Sequence, residues 1–130
     1  MRDILARDVM IKDVHTISAE KKVAYARLIM LRHNIGALPV VDDKDALVGI
    51  ITQRDIDLAG ADVSDLLVSD LMTRSLVKAN GTTPLRWIVE RMIKTGIQRI
   101  PVIDEKSSKL LGLVTQTSVI KAALMYNLLK

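Results

Sequence analysis

The residues best placed to do chemistry lie in one short run, Gly49-Ile50-Ile51-Thr52-Gln53-Arg54-Asp55. Its apolar half reads as the end of a strand and its polar half as the start of a helix. A helix start points backbone N–H groups outward and favours anions. Thr52 adds a hydroxyl donor suited to a phosphate. Asp55 is a carboxylate able to accept from two vicinal hydroxyls, as an acidic residue holds a ribose in dinucleotide folds. Gln53 and Arg54 between them are further candidate ligand contacts. A purely structural reading stands beside this one: Thr52 and Asp55 also suit the cap of the helix they begin.

Little else in the chain suggests reaction chemistry. Cys is absent, so there is no thiolate metal site, disulfide or Cys nucleophile. His15 and His33 are isolated in sequence and read as surface or cap residues. Asp42, Asp43 and Asp45 read as a solvated turn rather than a metal site. No Ser/His/Asp order of plausible spacing and no phosphate-loop lysine motif occurs. Catalysis is therefore not expected.

The elements that must position the Thr52–Asp55 run come from a repeat. A shift of 62 lays Asp8-Val9-Met10 on Asp70-Leu71-Met72, Met30 on Met92, Ile35 on Ile97 and Pro39-Val40 on Pro101-Val102. One added residue in the next turn makes the offset 63, and Leu47, Gly49 and Thr52-Gln53 then meet Leu110, Gly112 and Thr115-Gln116. Each half of the 130-residue chain, 1–61 and 62–130, is too small to bury a good core alone. The two are expected to pack as one pseudo-two-fold module.

Each repeat reads β-α-β-β-α after a short helical entry. Extended stretches are expected at 14–17 and 76–79, strands at 38–41, 46–52, 100–103 and 109–115, and closing helices at 55–59 and 118–129. In the second repeat Thr83-Pro84 opens a helix in which Leu85, Ile88, Val89, Met92 and Ile93 form one apolar stripe. Gly96 ends it in a left-handed cap, with Asn34 at the matching place in the first repeat.

Composition narrows the rest. Apolar residues make up 49% and charged residues 26%, a globular profile, yet there is no Phe, and Tyr25, Trp87 and Tyr126 are the only aromatic residues. The core must be aliphatic, and so few rings disfavour base stacking on single-stranded nucleic acid. Charge is uneven: residues 1–65 carry nine basic and eleven acidic side chains, residues 66–130 ten and four. A basic half suits a phosphate-bearing ligand, an acidic partner or nucleic acid. No apolar run reaches the ~20 residues of a membrane span, and Met1–Met10 lacks the apolar core of a secretory signal, so a cytoplasmic protein without a membrane is expected.

Two blocks in duplicate, Ile-Gly-Ala-Leu-Pro-Val-Val-Asp (35–42) with Leu-Val-Gly-Ile-Ile-Thr-Gln-Arg-Asp-Ile (47–56), and Ile-Gln-Arg-Ile-Pro-Val-Ile-Asp (97–104) with Leu-Leu-Gly-Leu-Val-Thr-Gln-Thr-Ser-Val (110–119), resemble the CBS-domain family. The resemblance covers about residues 6–125. It implies an α/β fold, a tandem pair of units with a three-stranded sheet and two helices each. It also implies a regulatory module that binds an adenosine nucleotide (AMP, ADP or ATP) or S-adenosylmethionine in the cleft between the units.

By that resemblance Thr52 and Asp55 meet phosphate and ribose, and Arg99 from the second repeat reaches the phosphate of the same ligand. From their residue types, Val14, Ile17, Val77 and Ala79 are candidates to grip the adenine through apolar contact, Thr16 is a further candidate ligand contact, and Lys78 is a candidate to supplement Arg99 on phosphate. The second copy departs from the pattern: Thr115 is kept, Ser118 replaces the acid, and Ala37 stands where Arg99 stands. One good nucleotide site per chain is expected. A homodimer through Tyr25, Leu28, Ile29 and Trp87 and a separate effector protein are the expected partners. The alternative is a scaffold for protein or nucleic acid with a vestigial nucleotide site.

Overall fold

A computed structural model describes residues 3–60 and 62–127. The elements run α1 (Ala6–Val9), β1 (Ile17–Ser18), α2 (Val23–His33), β2 (Ala37–Val41), β3 (Leu47–Thr52), α3 (Gln53–Leu58), α4 (Val68–Leu71), α5 (Leu85–Thr95), β4 (Arg99–Ile103), β5 (Leu110–Thr115) and α6 (Gln116–Met125). The end of the closing helix expected at 118–129 lies outside the described residues.

The chain forms two compact units, Val14–Leu76 and Val77–Lys130 with Met1–Asp13. These do not coincide with the repeats 1–61 and 62–130, because each repeat's leading segment docks on the hairpin of the other repeat. Ile11 and Leu113 exchange both backbone hydrogen bonds at 2.9 Å, and Ile50 and Thr73 do so at 3.0 and 2.8 Å. The repeated Asp-x-Met motif serves this docking. Asp8 and Asp70 each accept the N–H three residues back, from Leu5 and Leu67, at 2.9 Å. The methionine after each then lies on a strand glycine. A Cβ on Gly112 would stand 2.8 Å from the Met10 sulfur, and one on Gly49 would stand 2.8 Å from the Met72 sulfur.

In the Val14–Leu76 unit the sheet order is β1-β2-β3, with β1 parallel and β3 antiparallel to β2. Val23, Ala26 and Met30 of α2 cover it, with Leu38, Val40, Ile51, Ile56 and Val68 completing the core. The other unit has a two-stranded sheet, β4-β5. The third strand expected at 76–79 shrinks to one parallel bridge: the Ala79 N–H donates to the Pro101 carbonyl at 2.9 Å, and the Ile103 N–H donates to the Ala79 carbonyl at 2.8 Å. Leu85, Ile88 and Met92 bury one face of α5, whereas Ile93 is 77% exposed, so the apolar stripe is narrower than its sequence suggests. Asn34 and Gly96 take left-handed conformations (φ 53° and 74°), as their places after α2 and α5 require. Both cores are aliphatic.

Candidate functional site

The turn from β3 into α3 is built by hydrogen bonds its own sequence supplies. Thr52 Oγ1 accepts the Asp55 N–H at 3.1 Å, and Asp55 Oδ2 accepts the Thr52 N–H at 2.9 Å. This reciprocal pair is a capping box. The Gln53 N–H donates to the Gly36 carbonyl at 2.9 Å, tying the turn to the start of β2. The capping role is therefore real, and it does not consume Asp55. A carboxylate has about four lone-pair sites. Oδ1 has no hydrogen-bond partner among the described residues, and the side chain is half-buried at the sheet end. The helix itself is six residues long, so the anion-favouring dipole expected at its start is small and the side chains must do the work.

The turn from β5 into α6 repeats the geometry with different chemistry. Thr115 Oγ1 accepts the Ser118 N–H at 3.0 Å, and Ser118 Oγ accepts the Thr115 N–H at 2.9 Å. The Ser118 hydroxyl also donates to the Thr115 carbonyl at 2.9 Å, and the residue is 6% exposed. Its only proton is spent inside the turn, so Ser118 has little to offer a ligand.

The hairpin registers set the neighbours of these turns. Ala37 pairs with Thr52, and Arg99 pairs with Thr115. Arg99 and Thr115 are cross-strand neighbours, at the start of β4 and the end of β5. The acid and the cation thus belong to different turns, Asp55 beside Ala37 and Arg99 beside Thr115.

The remaining candidates divide by burial. Ile17 and Ala79 are 4% and 5% exposed and belong to the cores, and Val77 packs against one of them. Lys78 and Arg54 are exposed. The Gln53 side chain donates to Asp57 at 2.9 Å along α3. Lys78 lines an open pocket of about 340 Å³ with Trp87, Thr83 and Glu105. Of the four residues read as an outward partner surface, Tyr25 and Leu28 are 48% and 46% exposed. Ile29 and Trp87 are partly buried, each packed against its own core, and Arg91 lies over the Trp87 ring at 5.3 Å. Larger apolar exposure, missed in the sequence, lies on α6, where Ile120, Leu124 and Met125 are 65%, 77% and 80% exposed.

The acidic turn is structural, as expected. Asp42 Oδ1 accepts the N–H groups of Lys44 and Ala46 at 2.9 and 3.0 Å. These bonds, that from Ala46 foremost, hold its pKa below the ordinary carboxylate value. Asp104, in the matching turn, is lowered chiefly by the Ser107 hydroxyl, which donates to it at 2.7 Å. Among the described residues no group of three or more metal-ligating side chains is present, and no helix is long and apolar enough to cross a membrane.

Two mixed α/β repeats, each closing a hairpin with a Thr-capped helix, define the class. The CBS domain model matches residues 6–62 and 68–125, and the chain belongs to that family. Inosine-5'-monophosphate dehydrogenase of Thermoplasma acidophilum is 38% identical over 112 residues, which are 86% of this chain but 22% of that enzyme. The chain thus spans about a fifth of that relative's length. Hypoxic response protein 1 of Mycobacterium tuberculosis is 30% identical, with 88% of this chain and 81% of that protein covered. Among solved structures, a CBS domain pair in complex with 5'-methylthioadenosine and S-adenosyl-L-methionine matches with TM-score 0.84, 30% identity and coverage of 96% and 99%. CBSX2 in complex with AMP matches with TM-score 0.85, 27% identity and coverage of 95% and 98%.

Proposed function

We propose that this chain is a regulatory module that binds an adenosine compound, with Thr52 and Asp55 as the phosphate- and ribose-contacting pair. The observation that carries the reading is the state of Asp55. It is held in place through one oxygen, while the other has no hydrogen-bond partner among the described residues. A pre-positioned carboxylate can accept two vicinal hydroxyls without further ordering, which lowers the cost of binding. The AMP complex of CBSX2 and the S-adenosyl-L-methionine complex of the other pair support the ligand class. Ser118, whose one proton is donated within its own turn, is not part of the ribose contact. Arg99 and Thr115 offer a cation and a hydroxyl to phosphate.

In this role the ligand shifts a population of conformations by its differential affinity for them, and a separate effector protein or a second copy of the chain reads the change. Calorimetric titration with AMP, ADP, ATP, S-adenosylmethionine and 5'-methylthioadenosine tests the reading. Saturable binding of at least one is expected, with stabilisation of about 2.7 kcal/mol at a hundredfold excess over Kd. Absence of binding by all five refutes it.

A further inference from the structure

The two histidines, 18 positions apart in sequence, meet in the fold. The rings of His15, before β1, and His33, in the last turn of α2, stack with centroids 3.8 Å apart and planes at 21°. They form one wall of a surface cavity of about 290 Å³ whose other lining residues are Thr16, Tyr25, Leu28, Ile29 and Arg32. Five of these side chains carry donors: two imidazoles, a guanidinium and two hydroxyls. Among the described residues none of the five is engaged in a hydrogen bond or ion pair, and no carboxylate lines the cavity. Lys21, in the turn before α2, adds another cation 5.4 Å from the centre of the Tyr25 ring.

We propose that this cavity is a second binding site, distinct from the Thr52–Asp55 turn, for a small organic molecule that carries an oxyanion on an apolar body. The sign of the charge follows from the lining. Arg32 is cationic and no carboxylate lines the cavity, so a metal cation or an amine is disfavoured there. The size follows from the volume, which exceeds that of a bare oxyanion and leaves room along Leu28, Ile29 and the Tyr25 ring.

Because the chain has only two histidines, their imidazole resonances report the site directly. The full chain is titrated with phenyl phosphate, benzoate, inorganic phosphate and phenyltrimethylammonium. Saturable shifts of both imidazoles are expected with phenyl phosphate or benzoate, the stronger of the two distinguishing a phosphate from a carboxylate source. The midpoint should lie at least tenfold below that of phenyltrimethylammonium, with inorganic phosphate weaker than its phenyl ester. Arg32→Gln and His33→Ala should each weaken binding at least fivefold, while Asp55→Asn leaves it unchanged. Equal response to the anions and the cation, indifference to Arg32→Gln, or occlusion of the histidines by a second copy as protein concentration rises would each overturn the proposal.

Discussion

Replacing Gly112 by Ala puts a methyl group where two chain segments cross. The added Cβ would lie 2.7 Å from the Ile11 carbonyl oxygen and 2.8 Å from the Met10 sulfur. The sulfur ends a flexible side chain and can move. The carbonyl cannot move freely, because it accepts the Leu113 N–H while Ile11 donates back, both at 2.9 Å. Overpacking of this kind costs about 1–3 kcal/mol. Stretching two backbone hydrogen bonds worth about 1 kcal/mol each adds to it, for a total of roughly 2–4 kcal/mol. That is a large share of a typical stability of about 5–15 kcal/mol. For a chain of this length it corresponds to a Tm lower by roughly 6–15 °C. Thermal and urea unfolding of Gly112→Ala against Gly81→Ala measures it. Gly81 is the control: its Cβ would meet only the Arg7 Cβ at 3.7 Å, so a change within about 0.5 kcal/mol is expected. If Gly112→Ala is as stable as Gly81→Ala, residues 1–13 do not dock on the β5 strand and the division into units described above is wrong.

Ser118→Asp should give the second turn the acid it lacks, beside Arg99 and Thr115, and raise the calorimetric stoichiometry for the adenosine ligand from one to two per chain; an unchanged stoichiometry refutes the comparison of the two turns. Gly96→Ala should cost about 1 kcal/mol because φ there is 74°, whereas Asn34→Gly at φ 53° should be neutral within about 0.5 kcal/mol, both read by urea unfolding. The pKa values of Asp42, Asp104 and Glu20 are lowered in the folded state by donated hydrogen bonds. The stability they lend is therefore complete above their unfolded values of about 4 and is lost as the pH falls through the folded values. A Tm profile from pH 7 to pH 2.5 should drop on the acid limb, and Asp42→Asn should flatten that limb; a limb that Asp42→Asn leaves unchanged would remove the turn from the explanation.

Sequence patterning carried the repeat because its markers are local. Pro39 and Pro101, Gly49 and Gly112, and the two Asp-x-Met motifs keep fixed spacing, and each does the same job in its own unit. Closure was not legible. Whether Met10 rests on Gly49 or on Gly112 depends on which hairpin its segment reaches, and periodicity is silent on that. Along α2 Ile29 turns partly inward while Tyr25 and Leu28 are exposed, a division set by how the helix lies on its sheet. In the site, the capping box and the contrast between Asp55 and Ser118 follow from residue type and spacing. The neighbours of Arg99 follow from antiparallel register, which the repeat alignment implied by matching Ala37 to Arg99 and Thr52 to Thr115. The contact between His15 and His33 has no sequence signal, since it depends on how β1 meets the end of α2.

The measurement that bears most directly on function is adenosine-ligand affinity in Asp55→Asn. Asparagine keeps a carbonyl oxygen to accept the Thr52 N–H, so the capped turn and the melting temperature without ligand should change little. It replaces a charged acceptor for two hydroxyls by a neutral one, and hydrogen bonds to charged groups are worth about 1.5–3 kcal/mol. The account predicts a 10- to 150-fold rise in Kd for whichever of AMP, ADP, ATP, S-adenosylmethionine or 5'-methylthioadenosine binds the wild-type chain. Wild-type affinity in the folded Asp55→Asn chain would contradict it and leave Asp55 as a helix cap alone.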